Sequence, residues 1–148
     1  MQVSELLSPE NVIPALAAPS KASLLRALSK RAAEATGLSE SAILEALSKR
    51  EALGSTGVGG GVAIPHAPLQ GLSAPFGLLV RLERAVAYEA IDGASVDIVC
   101  LILTPASAGK DQINALACVA KRLRSPDVLG GLRMAATREA LYAALAER

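Results

Sequence analysis

Three observations predict an α/β protein in which helices cover both faces of a mixed β-sheet. Val96–Leu103 is an almost unbroken apolar run, β-branched in part, as a central strand buried on both faces requires. Helical apolar stripes lie before, between and after the strand-like segments, so helices and sheet must share one core. The 148 residues are 51% hydrophobic and 20% charged. A chain of that size buries roughly two-thirds of its unfolded surface and needs no staples. Neither an internal repeat nor a linker divides it, so residues 1–148 are expected to form one domain.

The elements follow in order. Leu6–Pro14 is a lead-in with a brief edge strand at Val12-Ile13, which Pro14 is expected to stop. Ser20 caps a helix running to about Thr36, with Leu24, Leu25, Leu28 and Ala32 on one face and Gly37 as its stop. Ser39 caps a second helix from Glu40 to about Leu53, with Ile43, Leu44 and Leu47 inward, ended by Gly54. Arg50 lies in its last turn, where a cation suits the helix dipole. Phe76–Leu82 is a strand, Ala85–Tyr88 a weaker one, and Asp92-Gly93 a turn. Thr104-Pro105 ends the central strand. A third helix is expected from Lys110 to Arg124 with Ile113, Leu116, Ala117, Ala120 and Leu123 inward. Ser125-Pro126-Asp127 opens a short helix weakened by Gly130-Gly131, and Thr137 caps the last, with Leu141, Ala144 and Leu145 inward.

Composition excludes several functions. Aromatic residues make up 2% of the chain, with no Trp, which removes the stacking platforms of single-strand nucleic-acid binding. The net charge of +1 gives no electrostatic case for nucleic acid or an anionic membrane. Met1–Glu5 lacks a basic n-region, and no apolar run is long enough to span a bilayer. Cys100 and Cys118 sit in apolar segments outside any CxxC spacing, as reduced core cysteines of a cytoplasmic protein do. Two cysteines and one histidine at these spacings do not make a zinc site.

The chemistry is concentrated in Gly57-Val58-Gly59-Gly60-Gly61-Val62-Ala63-Ile64-Pro65-His66, which holds the single histidine. The glycines permit positive φ and close approach, and Pro65 restricts both itself and Ile64. The stretch is not a Walker loop, because Gly61 is followed by Val62 and not by Lys-Ser/Thr. It is not a GxGxxG, and no GxSxG elbow exists for a serine triad. A neutral imidazole at cytoplasmic pH is nucleophilic. Phosphoryl transfer asks for such a nucleophile plus donors around the equatorial oxygens. Glycine N–H groups, Ser55 and Thr56 hydroxyls and the Arg50 fork are candidate donors. A turn histidine, a turn serine, a cap and a solvated helix end are the plain alternatives. Val58, Val62, Ile64 and Leu69 are candidates for an apolar rim, and Val62 and Ile64 equally suit the core.

Leu53–His66 resembles the active-site signature of enzyme IIA domains of the fructose/mannitol type, in the bacterial phosphoenolpyruvate-dependent phosphotransferase system. Leu6–Val12 and Ala90–Asp97 resemble the nitrogen-regulatory branch, so the likeness covers nearly the whole chain. It implies a mixed sheet flanked by helices, no metal or cofactor, His66 as phosphoryl acceptor and Arg50 as a phosphoryl-holding residue. It also implies an HPr-type carrier as donor, and potassium-transport proteins and sensor kinases as regulatory partners. Two positions depart from the pattern. Gln112 stands where a second histidine is usual, and Gly60 where an asparagine is usual. Three functions remain open: a nitrogen-type regulatory phosphocarrier, a sugar-transport IIA passing phosphate to a IIB component, and a binding module without phosphotransfer.

Overall fold

The computed structural model describes residues 1–107 and 109–147, with the backbone alone at Asp111. In chain order the elements are β1 (Val12–Leu16), α1 (Lys21–Thr36), α2 (Glu40–Ala52), β2 (Gly57–Gly59), β3 (Val62–Ala63), β4 (His66–Leu69), β5 (Phe76–Val86), β6 (Val96–Pro105), α3 (Gly109–Leu123), α4 (Pro126–Met134) and α5 (Arg138–Ala146). Short 3₁₀ turns occupy Val3–Glu5 and Pro9–Asn11.

The strands form one mixed sheet in the order β1-β5-β6-β3-β2, with β4 also pairing with β6. β5 is antiparallel to β6, whereas β3 and β4 run parallel to β6 and β1 runs parallel to β5. Alternation along β6 explains its apolar run. Val99, Leu101 and Leu103 face α1 and α2, while Ile98, Cys100 and Ile102 face the α3, α4 and α5 side. Both faces are buried, so no polar register is needed. The expected α/β sandwich with helices on both faces is therefore present.

The helix caps stand where side-chain chemistry puts them. Ser20, Ser39, Ser125 and Thr137 each accept a hydrogen bond from a backbone N–H of the first turn. Gly37 closes α1 at φ 76°.

Four local expectations are corrected. Pro14 does not stop β1: the strand continues to Leu16 across a register break after Ile13, which an edge strand tolerates. Ala85-Val86 belongs to one long β5. α3 presents Ala115, Val119 and Leu123 to the core, whereas Ile113 is 69% exposed and Ala117 is exposed. Two helical stripes one residue apart share the i, i+3, i+4 spacing, and only the packing against β6 chooses between them. The glycine stretch is not an open loop but a β2–β3 hairpin. Its turn is Gly60-Gly61 at φ 67° and 80°, the positive-φ pair that a two-residue hairpin turn demands.

β3 and β4 lie end to end along one edge of β6. Ala63 pairs with Val99 and His66 with Ile102, so both chains advance three residues and stay in step. The unpaired Ile64-Pro65 step between them is anchored at both ends. Ile64 N–H donates to Thr56 O at 3.0 Å, and Ile102 N–H donates to Pro65 O at 3.0 Å. That step delivers His66 to the first position of β4.

Candidate functional site

His66 is half-buried on the sheet edge, and both ring nitrogens are engaged. Nδ1 lies 2.8 Å from Ile64 O, and Nε2 lies 3.2 Å from Arg50 Nε. A carbonyl can only accept and a guanidinium N–H can only donate. The two contacts therefore select the same tautomer: hydrogen on Nδ1, lone pair on Nε2. Burial lowers the imidazole pKa below the usual 6.5. The Ile64 hydrogen bond and the Glu51 charge oppose that effect, and the Arg50 charge adds to it. The ring is neutral at neutral pH.

Arg50 reaches the ring from the last turn of α2, sixteen positions upstream. Its second arm donates from Nη1 to Gly54 O at 2.8 Å, tying α2 to the turn that follows it. Nε and Nη1 thus fix the fork in a plane beside Nε2. Beside Arg50, between α2 and β4, opens a groove of about 480 Å³ lined by apolar Ala42, Ala46, Leu53, Ala67 and Leu69.

The other expected site residues are placed differently. Ser55 donates to Tyr88 O at 3.2 Å and accepts from Gly57 N–H at 3.1 Å, so its hydroxyl braces the turn. Thr56 is buried, and its hydroxyl contacts Glu51 and Tyr88. Gln112 lies half-buried on the first turn of α3, and among the described residues no hydrogen bond joins it to His66 or Arg50. The Gly60 N–H donates to Asp92 at 3.0 Å. Val62, Ile64 and Leu69 belong to the core, and only Val58, at 53% exposure, offers an apolar rim.

Gly57 has a packing reason. A Cβ there would lie 2.7 Å from the Ala90 Cβ and 2.8 Å from its Cα, closer than real Cβ contacts come. Asp97 and Arg133 grip the hairpin tip: Arg133 meets Asp97 through Nε (3.0 Å) and Nη2 (2.9 Å), and Nη2 also donates to Gly60 O at 2.7 Å.

Glu51, Lys21 and Tyr88 were not among the candidates read from sequence. Lys21 pairs with Glu51 at 2.8 Å and sits 4.5 Å over the Tyr88 ring. Burial pushes the Glu51 carboxyl up, but hydrogen bonds from Lys21 and Thr56 outweigh it and hold the group below its usual range. One signal was available: a carboxylate in the last turn of a helix opposes the dipole and needs a local partner. Among the described residues, no cluster of three or more His, Cys, Asp or Glu could hold a metal ion, and no helix is long and apolar enough to cross a membrane.

Residues 5–148 match the family described as "Phosphoenolpyruvate-dependent sugar phosphotransferase system, EIIA 2". A nitrogen regulatory protein of Bradyrhizobium diazoefficiens is 45% identical over 146 residues, covering 99% of this chain and 95% of the relative. That of Escherichia coli K12 is 36% identical over 143 residues, covering 96% and 88%. The crystal structure of nitrogen regulatory protein IIA-Ntr from Neisseria meningitidis superposes with a TM-score of 0.91 at 28% identity, covering 97% of this chain and 98% of that one. The IIA mannitol structure from Escherichia coli shares the fold, with a TM-score of 0.80 at 17% identity. The mixed sheet, the hairpin that leads into His66 and these likenesses agree: the chain belongs to the type 2 EIIA family of the phosphotransferase system.

Proposed function

We propose that this protein is a regulatory phosphocarrier of the nitrogen-type phosphotransferase system, accepting a phosphoryl group on Nε2 of His66 from an HPr-type carrier. The observation that carries the reading is the pairing of the two ring nitrogens. Ile64 O holds the hydrogen on Nδ1, which leaves the Nε2 lone pair beside a guanidinium.

In the transfer step the Nε2 lone pair forms the new bond to phosphorus. The donor's bond to phosphorus breaks, and its electron pair stays with the donor. The Nδ1 hydrogen remains on the ring, and its bond to Ile64 O strengthens as the ring becomes positive. Arg50 then turns its N–H groups from Nε2 to the phosphoryl oxygens, where a planar fork matches the geometry. The ring need not lose a proton first, because burial already keeps it neutral. The groove beside Arg50 gives a donor an apolar floor next to the nucleophile.

Phosphorylation places close to two negative charges on this edge of the sheet. Contacts with regulatory partners, potassium-transport proteins and sensor kinases among them, change through that local charge. The nitrogen-regulatory relatives, identical at 45% and 36% over most of both chains, support this branch over sugar transport. The reading is tested by supplying phosphoenolpyruvate, enzyme I and an HPr-type carrier and measuring an acid-labile mass gain that His66→Ala abolishes. A folded wild-type protein that gains no label from an active donor chain overturns it.

A further inference from the structure

Arg50, Ile64 and His66 account for the nucleophile, but they leave Glu51 without a role. Its side chain is 8% exposed. Burying a carboxylate is costly unless its oxygens are paired, and here they are paired from three parts of the chain. Oε2 accepts from Lys21 Nζ at 2.8 Å and from Thr56 N–H at 3.2 Å. Oε1 accepts from the Tyr88 hydroxyl at 3.1 Å and from the Thr56 hydroxyl. The two hydroxyl oxygens also approach each other at 3.0 Å. They hold two protons for three contacts. Both protons go to the carboxylate, the strongest acceptor present, so the carboxylate and not the hydroxyl pair organises the cluster.

From Glu51 three hydrogen bonds lead to the imidazole. Thr56 N–H donates to Glu51, Ile64 N–H donates to Thr56 O at 3.0 Å, and His66 Nδ1–H donates to Ile64 O at 2.8 Å. This run does not conduct charge. The N–H and C=O of Thr56 belong to different amides, and the Ile64–Pro65 amide has no N–H. It transmits position: Thr56 O holds the Ile64 N–H, and Ile64 O is, with Arg50 Nε, one of the two partners that select the ring tautomer.

We propose that Glu51 is a positioning residue: by anchoring Thr56 it fixes Ile64 O, and so holds His66 as the Nδ1–H tautomer with Nε2 open to attack. The catalytic consequence rests on the phosphocarrier reading above, whereas the tautomer claim stands without it.

Glu51→Gln tests both halves. The amide keeps the shape but puts an NH2 in place of an oxygen that accepts two hydrogen bonds, so two donors of the cluster lose their acceptor. Imidazole 15N shifts report the tautomer of the unphosphorylated protein, and labelling by an HPr-type carrier reports transfer. Folding is followed by thermal unfolding. The folded variant is expected to carry a mixture of tautomers and to accept phosphate roughly ten- to a hundredfold more slowly, the scale of a small misalignment. Should Glu51→Gln not fold, Thr56→Val, which removes one donor to the same carboxylate, is read in the same way, with a smaller shift in the same direction. A folded variant with the wild-type tautomer overturns the proposal, whether its transfer is slowed or not. Wild-type protein that takes no label defeats the phosphocarrier reading alone, because the 15N shifts still decide the role of Glu51.

Discussion

At His66 the two ring nitrogens have different partners. Nδ1 meets a backbone carbonyl and Nε2 a guanidinium, and the proposed transfer uses Nε2. Arg50→Ala is therefore expected to slow phosphorylation by about two orders of magnitude, the usual cost of one preorganised donor. The fold should survive, because the lost bonds are half-exposed; labelling rates beside thermal unfolding check this. The same depression of the imidazole pKa has a stability consequence. The unfolded chain binds a proton near pH 6.5, while folded His66 resists it until lower pH. Between those values the unfolded state holds more protons, so stability falls as pH falls through that window. His66→Gln should remove this part of the acid sensitivity, as seen in urea unfolding at about pH 7.5 and about pH 5.5. Gly60 has room for the asparagine that the family resemblance implies at this position. Open space surrounds its Cβ direction at φ 67°, a conformation asparagine tolerates. Gly60→Asn should fit, leaving stability within about 1 kcal/mol.

At the scale of elements, the site depends on a hairpin and on a break. The β2–β3 hairpin turns at Gly60-Gly61, is gripped by Asp97 and Arg133, and packs Gly57 against Ala90. Gly57→Ala should cost about 1–3 kcal/mol by overpacking, because the methyl would meet the Ala90 Cβ and Cα, which cannot yield without moving the backbone. A denaturant midpoint lowered with an unchanged slope would show it. Glycine and proline in the sequence announced a constrained segment ending at His66, and the segment is constrained. What the residues did not disclose is that it pairs as strands, because a strand of three or two residues has no period to detect. Arg50 was legible as a helix-end cation sixteen positions before the histidine. Ser55 and Thr56 looked like phosphate donors because hydroxyls in a turn suit that task. In the folded chain the Thr56 hydroxyl is spent on Glu51, a partnership created by the tertiary approach of Tyr88 and Lys21.

For the whole molecule, one strand organises the rest. β6 pairs with β5 on one side and with β3 and β4 on the other, and both its faces are core. That much was legible, since only a central strand reads as Val96–Leu103 does. Its neighbours were not, because pairing order is a long-range property that local sequence does not carry. Leu101→Ala removes a fully buried side chain beneath α1 and α2 and should cost about 2–5 kcal/mol. In the proposed transfer, the frame that β6 supplies presents one imidazole nitrogen, Nε2, beside Arg50 at a sheet edge. The most direct test is phosphoryl transfer itself. Purified protein is mixed with phosphoenolpyruvate, enzyme I and an HPr-type carrier, and intact mass is read before and after acid. The expected result is one acid-labile phosphoryl group per chain, absent from His66→Ala and bound through Nε2. Unlabelled, folded wild-type protein beside a fully active donor chain would contradict it and leave a binding module in its place.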